Sequence, residues 1–78
     1  MRQKVKELLT EEKGNYEEIL IEKGGKVLFC GTLDKLNYLI IFTSPLLDME
    51  VWKWYYRTDE IVELFFGICF KTIMIEVR

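Results

Sequence analysis

The run "EEILIEKGGKVLFCG" constrains this chain more than any other stretch. Two aliphatic, β-branched segments flank Gly24-Gly25, and a glycine pair takes positive φ in a tight turn without a Cβ clash. The stretch therefore reads as a hairpin. One strand runs from about Tyr16 to Glu22, the turn covers Lys23, Gly24, Gly25 and Lys26, and a second strand runs from Val27 to Gly31. Glycine-rich turns also cradle phosphate, but "EKGGKV" lacks both the spacing of a phosphate loop and a helix behind it.

Ahead of the hairpin, Val5, Leu8 and Leu9 recur at helical spacing among Glu and Lys, and the pattern stops at Gly14-Asn15. This predicts a short helix of about two or three turns, with one apolar stripe suited to docking on a sheet. After the hairpin, Thr32 can cap a short turn containing Leu33 and Leu36, and Ser44-Pro45 looks like a cap followed by a first helical residue. "YLIIF" has the composition of a buried strand, although a helix continuing from Asp34 fits it equally. The segment is read as a connection with one or two helical turns.

From Met49 the pattern returns to strands: "MEVWKWYYR", a polar break "TDE", "IVELFFG", then "ICFKTIMIEV". In the last run Ile73, Ile75 and Val77 alternate with Thr72, Met74 and Glu76, the period of a half-buried strand. A helix through "EIVELFF" competes, but Gly67 and the aromatic, β-branched content favour a strand and hence a meander. The fold expected is a compact α+β domain over residues 1–78: a small antiparallel sheet of four to five strands with the short N-terminal helix packed on one face.

A 78-residue chain buries only about 60% of its unfolded surface. Half of its residues are hydrophobic and 14% aromatic, more than so small a body hides, so apolar surface is left for self-association or for another macromolecule. Eleven Lys and Arg oppose thirteen Asp and Glu, for a net charge of −2. That near-neutral balance, with Arg2, Lys4 and Lys6 as its longest basic cluster, argues against direct nucleic-acid binding. A DNA mimic built on Glu11, Glu12, Glu17 and Glu18 is weakened by interleaved lysines.

Chemistry finds little purchase. There is no His, which removes the commonest general base, the Ser-His and Cys-His pairs and most zinc sites. Cys30 and Cys69 lie in apolar settings, read as small buried hydrophobes with reduced thiols in a cytoplasm, with a disulfide between them left open. Paired carboxylates such as Glu11-Glu12, Glu17-Glu18 and Asp59-Glu60 read as solvated, and Glu63, the one whose apolar flanks could raise its pKa, reads more simply as an outward-facing strand position. "LFFGICFKTIMI" is too short to span a bilayer and Lys71 interrupts it. No enzyme activity, cofactor, metal or membrane segment is expected.

Binding is the better expectation, and it centres on "EVWKWYYR". In an extended strand Trp52, Trp54 and Tyr56 share one face, while Val51, Lys53, Tyr55 and Arg57 share the other. If the core takes Trp52 and Trp54, Tyr55 sits outside between two cations. If it takes Val51 and Tyr55, both Trps are presented to a partner, and Trp and Tyr are enriched in binding hot spots. The candidate partner-binding residues are Trp52, Lys53, Trp54, Tyr55, Tyr56 and Arg57, and the partner is another protein or a second copy in a homodimer.

"VKELLTEEKGNYEEILIEKGGKVLFCGTLDKL" followed by "PLLDMEV" resembles small proteins encoded by phages and mobile elements of Gram-positive bacteria, in which a "VKELL"-type helix precedes a "GGKVLF.GTLDKL"-type hairpin. The resemblance covers about the first two thirds, and the chain departs from it at "NYLIIFTS" and in its aromatic-rich end. No established activity comes with that family. It implies a context: a cytoplasmic accessory protein in a bacterial host that binds a host protein, including inhibitors of CRISPR or other defence nucleases.

Overall fold

A computed structural model describes residues 3–58, 64–67 and 70–78. In chain order the named elements are α1 (Val5–Glu11), β1 (Glu18–Lys23), β2 (Lys26–Gly31), α2 (Leu33–Tyr38), α3 (Ile40–Leu47), β3 (Val51–Thr58) and β4 (Lys71–Val77). The architecture is α+β, with a four-stranded sheet ordered β2-β1-β4-β3.

The hairpin forms where the glycines place it. Gly24 and Gly25 both have positive φ, 57° and 83°, and Lys23 pairs with Lys26 across a two-residue turn. Positive φ at both positions is the handedness that matches the twist of the flanking strands. A shift in register between Ile21 and Glu22 then lets Leu28 join the partly buried layer.

The sheet is not antiparallel throughout. β4 lies between β1 and β3, antiparallel to β3 and parallel to β1, so the expected meander is corrected at that seam. The reason is burial. Ile19 pairs with Ile73 and Ile21 with Ile75, and all four are sealed from water. On the opposite face Thr72 and Met74 are also buried. A strand apolar on both faces belongs in the middle of a sheet, so β4 is more than half buried.

α1 covers the isoleucines with Val5, Leu8 and Leu9. The Glu7 carboxylate accepts the Lys4 backbone N–H at 3.1 Å, satisfying a donor at the helix start. Residues 3–5 also zip onto the start of β3: the Val51 N–H donates to the Gln3 carbonyl at 2.8 Å and the Val5 N–H to the Met49 carbonyl at 3.0 Å.

Residues 33–47 are helical, so the strand composition of "YLIIF" misleads. Thr32 caps α2 as expected, its hydroxyl accepting the Lys35 N–H at 3.2 Å, and Leu36 enters the core. The chain turns at Leu39 and continues as α3, with Pro45 inside the helix rather than at its first position. Thr43, buried at the join, places its hydroxyl 2.9 Å from the Leu36 carbonyl and 3.1 Å from that of Leu39. The hydroxyl thus serves the Leu36 carbonyl at the end of α2 and shares the Leu39 carbonyl with the N–H groups of Phe42 and Thr43. Further on, Leu64, Phe65 and Phe66 are helical and exposed, which corrects the strand expected there; residues 59–63, Glu63 included, lie outside the described residues.

The turn geometry yields a paired expectation. Gly25→Val should lower stability by about 1–2 kcal/mol through the left-handed conformation alone, because nothing lies within 4 Å of the new Cβ. Gly24→Asn should be near neutral, since Asn tolerates that conformation. Urea unfolding of the two variants checks this.

Candidate interaction surface

β3 is an edge strand, paired only with β4 among the described strands. Its outer edge is covered at the start by residues 3–5, and beyond them no strand among the described residues pairs with it. The pairing jumps between Val51↔Val77 and Lys53↔Glu76, which makes Trp52 the extra residue of a β-bulge. That bulge overturns the simple alternation expected for this strand. Val51 packs with the core beside the same face as Tyr56, so Val51 and Tyr56 are not on opposite sides.

After the bulge the period is regular. Trp54 and Tyr56 pair with Ile75 and Ile73 on the helix-covered side, while Lys53, Tyr55 and Arg57 pair with Glu76, Met74 and Thr72 on the other. Neither Trp is enclosed by the core: Trp52 is 56% exposed, Trp54 39% and Tyr55 53%. α1 is only seven residues long, and although Val51 and Tyr56 pack on the cluster it completes, it leaves both Trps partly in water.

The six residues make different contacts. Tyr56 is the anchor: its hydroxyl donates to the Glu12 carboxylate at 2.7 Å, and Trp54 meets its ring edge to face at 5.5 Å. Burial, followed by that carboxylate, pushes the Tyr56 hydroxyl up to about 12, so it stays a neutral donor across the physiological range. The Lys71 ammonium lies 5.8 Å from the centroid of the Tyr56 ring. Lys53 reaches Glu76 at 3.4 Å and sits 5.0 Å from the Trp52 ring centroid, a cation over an aromatic face. Arg57 and Tyr55 complete the open face.

Several carboxylates read as merely solvated tie elements together instead. Glu12 joins α1 to β3, Glu17 accepts the Lys71 backbone N–H, and Glu11 accepts from the Gln3 amide at 2.7 Å. Cys30 is an exposed free thiol rather than a buried hydrophobe. Its sulfur lies 3.6 Å from Glu18, and burial together with that carboxylate raises its pKa, which disfavours the reactive thiolate. Cys69 and Asp59-Glu60 lie outside the described residues.

Two features escaped the sequence reading. A cleft of about 250 Å³ opens between α1 and the α2–α3 unit, floored by Leu9, Leu33, Leu36 and Leu47 with Lys6 and Lys13 at its rim. Lys6 is engaged with Asp48 at 3.0 Å and holds that carboxyl below its usual range. The other is an exposed apolar face on α3. Its signal was there: residues 36–47 contain no charged residue, and a helix apolar all round either lies between two layers or exposes a face. Among the described residues no three metal-ligating side chains gather, and no helix is long and apolar enough to cross a membrane.

No family model matches this chain, and no curated protein or solved structure is significantly similar to it.

The Tyr56–Glu12 bond carries a pH signature. The raised Tyr56 pKa means that its contribution to stability is complete below the unfolded value near 10 and is lost as pH rises toward about 12. The native protein should therefore be more stable than Tyr56→Phe at neutral pH, and the gap should narrow above pH ~10. Chemical denaturation of both proteins along that pH series measures it.

Proposed function

We propose that this chain is a non-enzymatic binding protein whose β3 strand engages another protein through Trp52, Trp54 and Tyr55, with Lys53 and Arg57 beside them and Tyr56 as the anchor. The observation that carries the reading is the exposure of both Trps and Tyr55 on an edge strand. Large aromatics in water cost solvation free energy that a monomer does not recover, and Trp, Tyr and Arg are the residues that dominate binding energy at interfaces. The surface is preorganised as well. Tyr56 is fixed to α1 through Glu12, Trp54 is held against Tyr56 and Lys53 against Trp52, so little side-chain freedom remains to be lost on docking.

The partner is a host protein of the bacterial cell in which a phage or mobile element expresses this chain, and its class is a defence nuclease, CRISPR effectors included, which binding inhibits. That finer assignment rests on the resemblance of residues 5–36 and 45–51 to accessory proteins of such elements. A binder of this kind acts by occupying a surface and needs no catalytic group.

The test is a cleavage assay with purified CRISPR effector nucleases from Gram-positive hosts, with and without this protein. Inhibition is expected, and Trp52→Ala with Trp54→Ala should weaken it by about thirtyfold or more, the scale of losing a hot spot, while the melting temperature stays close to native. Inhibition that survives the double substitution would place the contact elsewhere. Unfolding of the variant would show that the Trps hold the domain together.

A further inference from the structure

We infer that the outer face of α3 is a self-association surface, at which two copies of this chain meet about a two-fold axis. α3 turns Leu46 and Leu47 partly into the core and fully buries only Thr43, whose hydroxyl is spent on the Leu36 and Leu39 carbonyls. Its solvent side carries Ile41 at 85% exposure and Phe42 at 78%, with exposed Pro45 one turn on and Tyr38, 87% exposed, flanking them from the end of α2. A monomer gains nothing from that arrangement.

Area and charge choose the occupant. Together these four side chains leave on the order of 600 Å² in water, close to the ~800 Å² that each partner contributes to a standard-size interface. Residues 36–47 contain no Asp, Glu, Lys or Arg, so juxtaposing the face with its own copy brings no like charges together, which a two-fold contact otherwise has to solve. β3 does not share that property: pairing it with itself about Tyr55 would set Lys53 of one copy opposite Arg57 of the other. A lipid surface fits less well, because helices that lie in a membrane interface carry Lys and Arg along their polar face. The inference is independent of what β3 binds and leaves β3 available in both copies.

Light scattering across a wide concentration range tests this on the full chain. A mass near twice the 9.4 kDa of the monomer is expected, falling on dilution. Ile41→Glu and Phe42→Glu should each weaken association by about tenfold or more, whereas Trp54→Ala should leave it unchanged. An uncharged Ile41→Ser, Phe42→Ser double variant guards against a fold defect and should shift association in the same direction with the far-UV circular dichroism of the native chain. A monomer at every concentration overturns the inference, as does a dimer insensitive to these substitutions. Sedimentation of a monomer with phosphatidylglycerol vesicles, abolished by Phe42→Glu, would give the face to lipid and overturn it too.

Discussion

Ile19 against Ile73 and Ile21 against Ile75 form a parallel seam between β1 and β4, and everything else hangs from it. Because the two strands run the same way, no tight turn can bring them together; a crossover of many residues has to intervene. The register is held by the isoleucines themselves. A slip of one residue in either strand would turn its two isoleucines from the helix side to the open side and bring Leu20 or Met74 to the helix side in their place. Stiff β-branched side chains suit that task, since they have few rotamers to lose on a pleated surface. α1 then closes the seam from above, and each central strand carries one antiparallel neighbour on its far side.

The exposure of the aromatic strand follows from that arrangement. With β4 taken up in the centre, β3 has to lie at the edge, where a seven-residue α1 does not reach over its outer rings. Edge strands invite indiscriminate pairing, and this one carries recognised safeguards: a bulge at Trp52, and Lys53 and Arg57 on its open face. These features narrow what can dock there without hiding the aromatic rings. Affinity and selectivity on this strand thus come from the same few residues.

How much of this was legible in the sequence depends on range. The hairpin, α1 and the Thr32 cap depend on residues within a turn or two of one another, and there the sequence reading and the structure agree. The position of β4 depends on Ile19 finding Ile73, which no local pattern encodes; alternation in "KTIMIEV" identifies a strand but not its neighbours. "YLIIF" was ambiguous because its composition suits a strand and its length cannot show a helical period, and Thr43 settles it by bonding backwards to α2. The bulge at Trp52 was invisible for a different reason. It arises from the fit of Val51 to Val77 and Lys53 to Glu76, so the partner strand, rather than the sequence of β3, decides which aromatic points where.

The strand order also has a consequence for synthesis. Chain order places β1 and β2 first and β3 later, yet β4, which separates β1 from β3 in the sheet, is translated after all of them. While the ribosome is still adding residues, the edge of β1 that will receive β4 is open, and β3 has only residues 3–5 beside its start. Closing the sheet joins segments as far apart as Glu17 and Lys71, 54 positions along the chain, so contacts that reward folding come only after a large loop has been ordered. A nascent chain of this kind carries one edge of β1 and most of β3 unpaired until β4 arrives, an interval in which exposed apolar surface favours aggregation over folding.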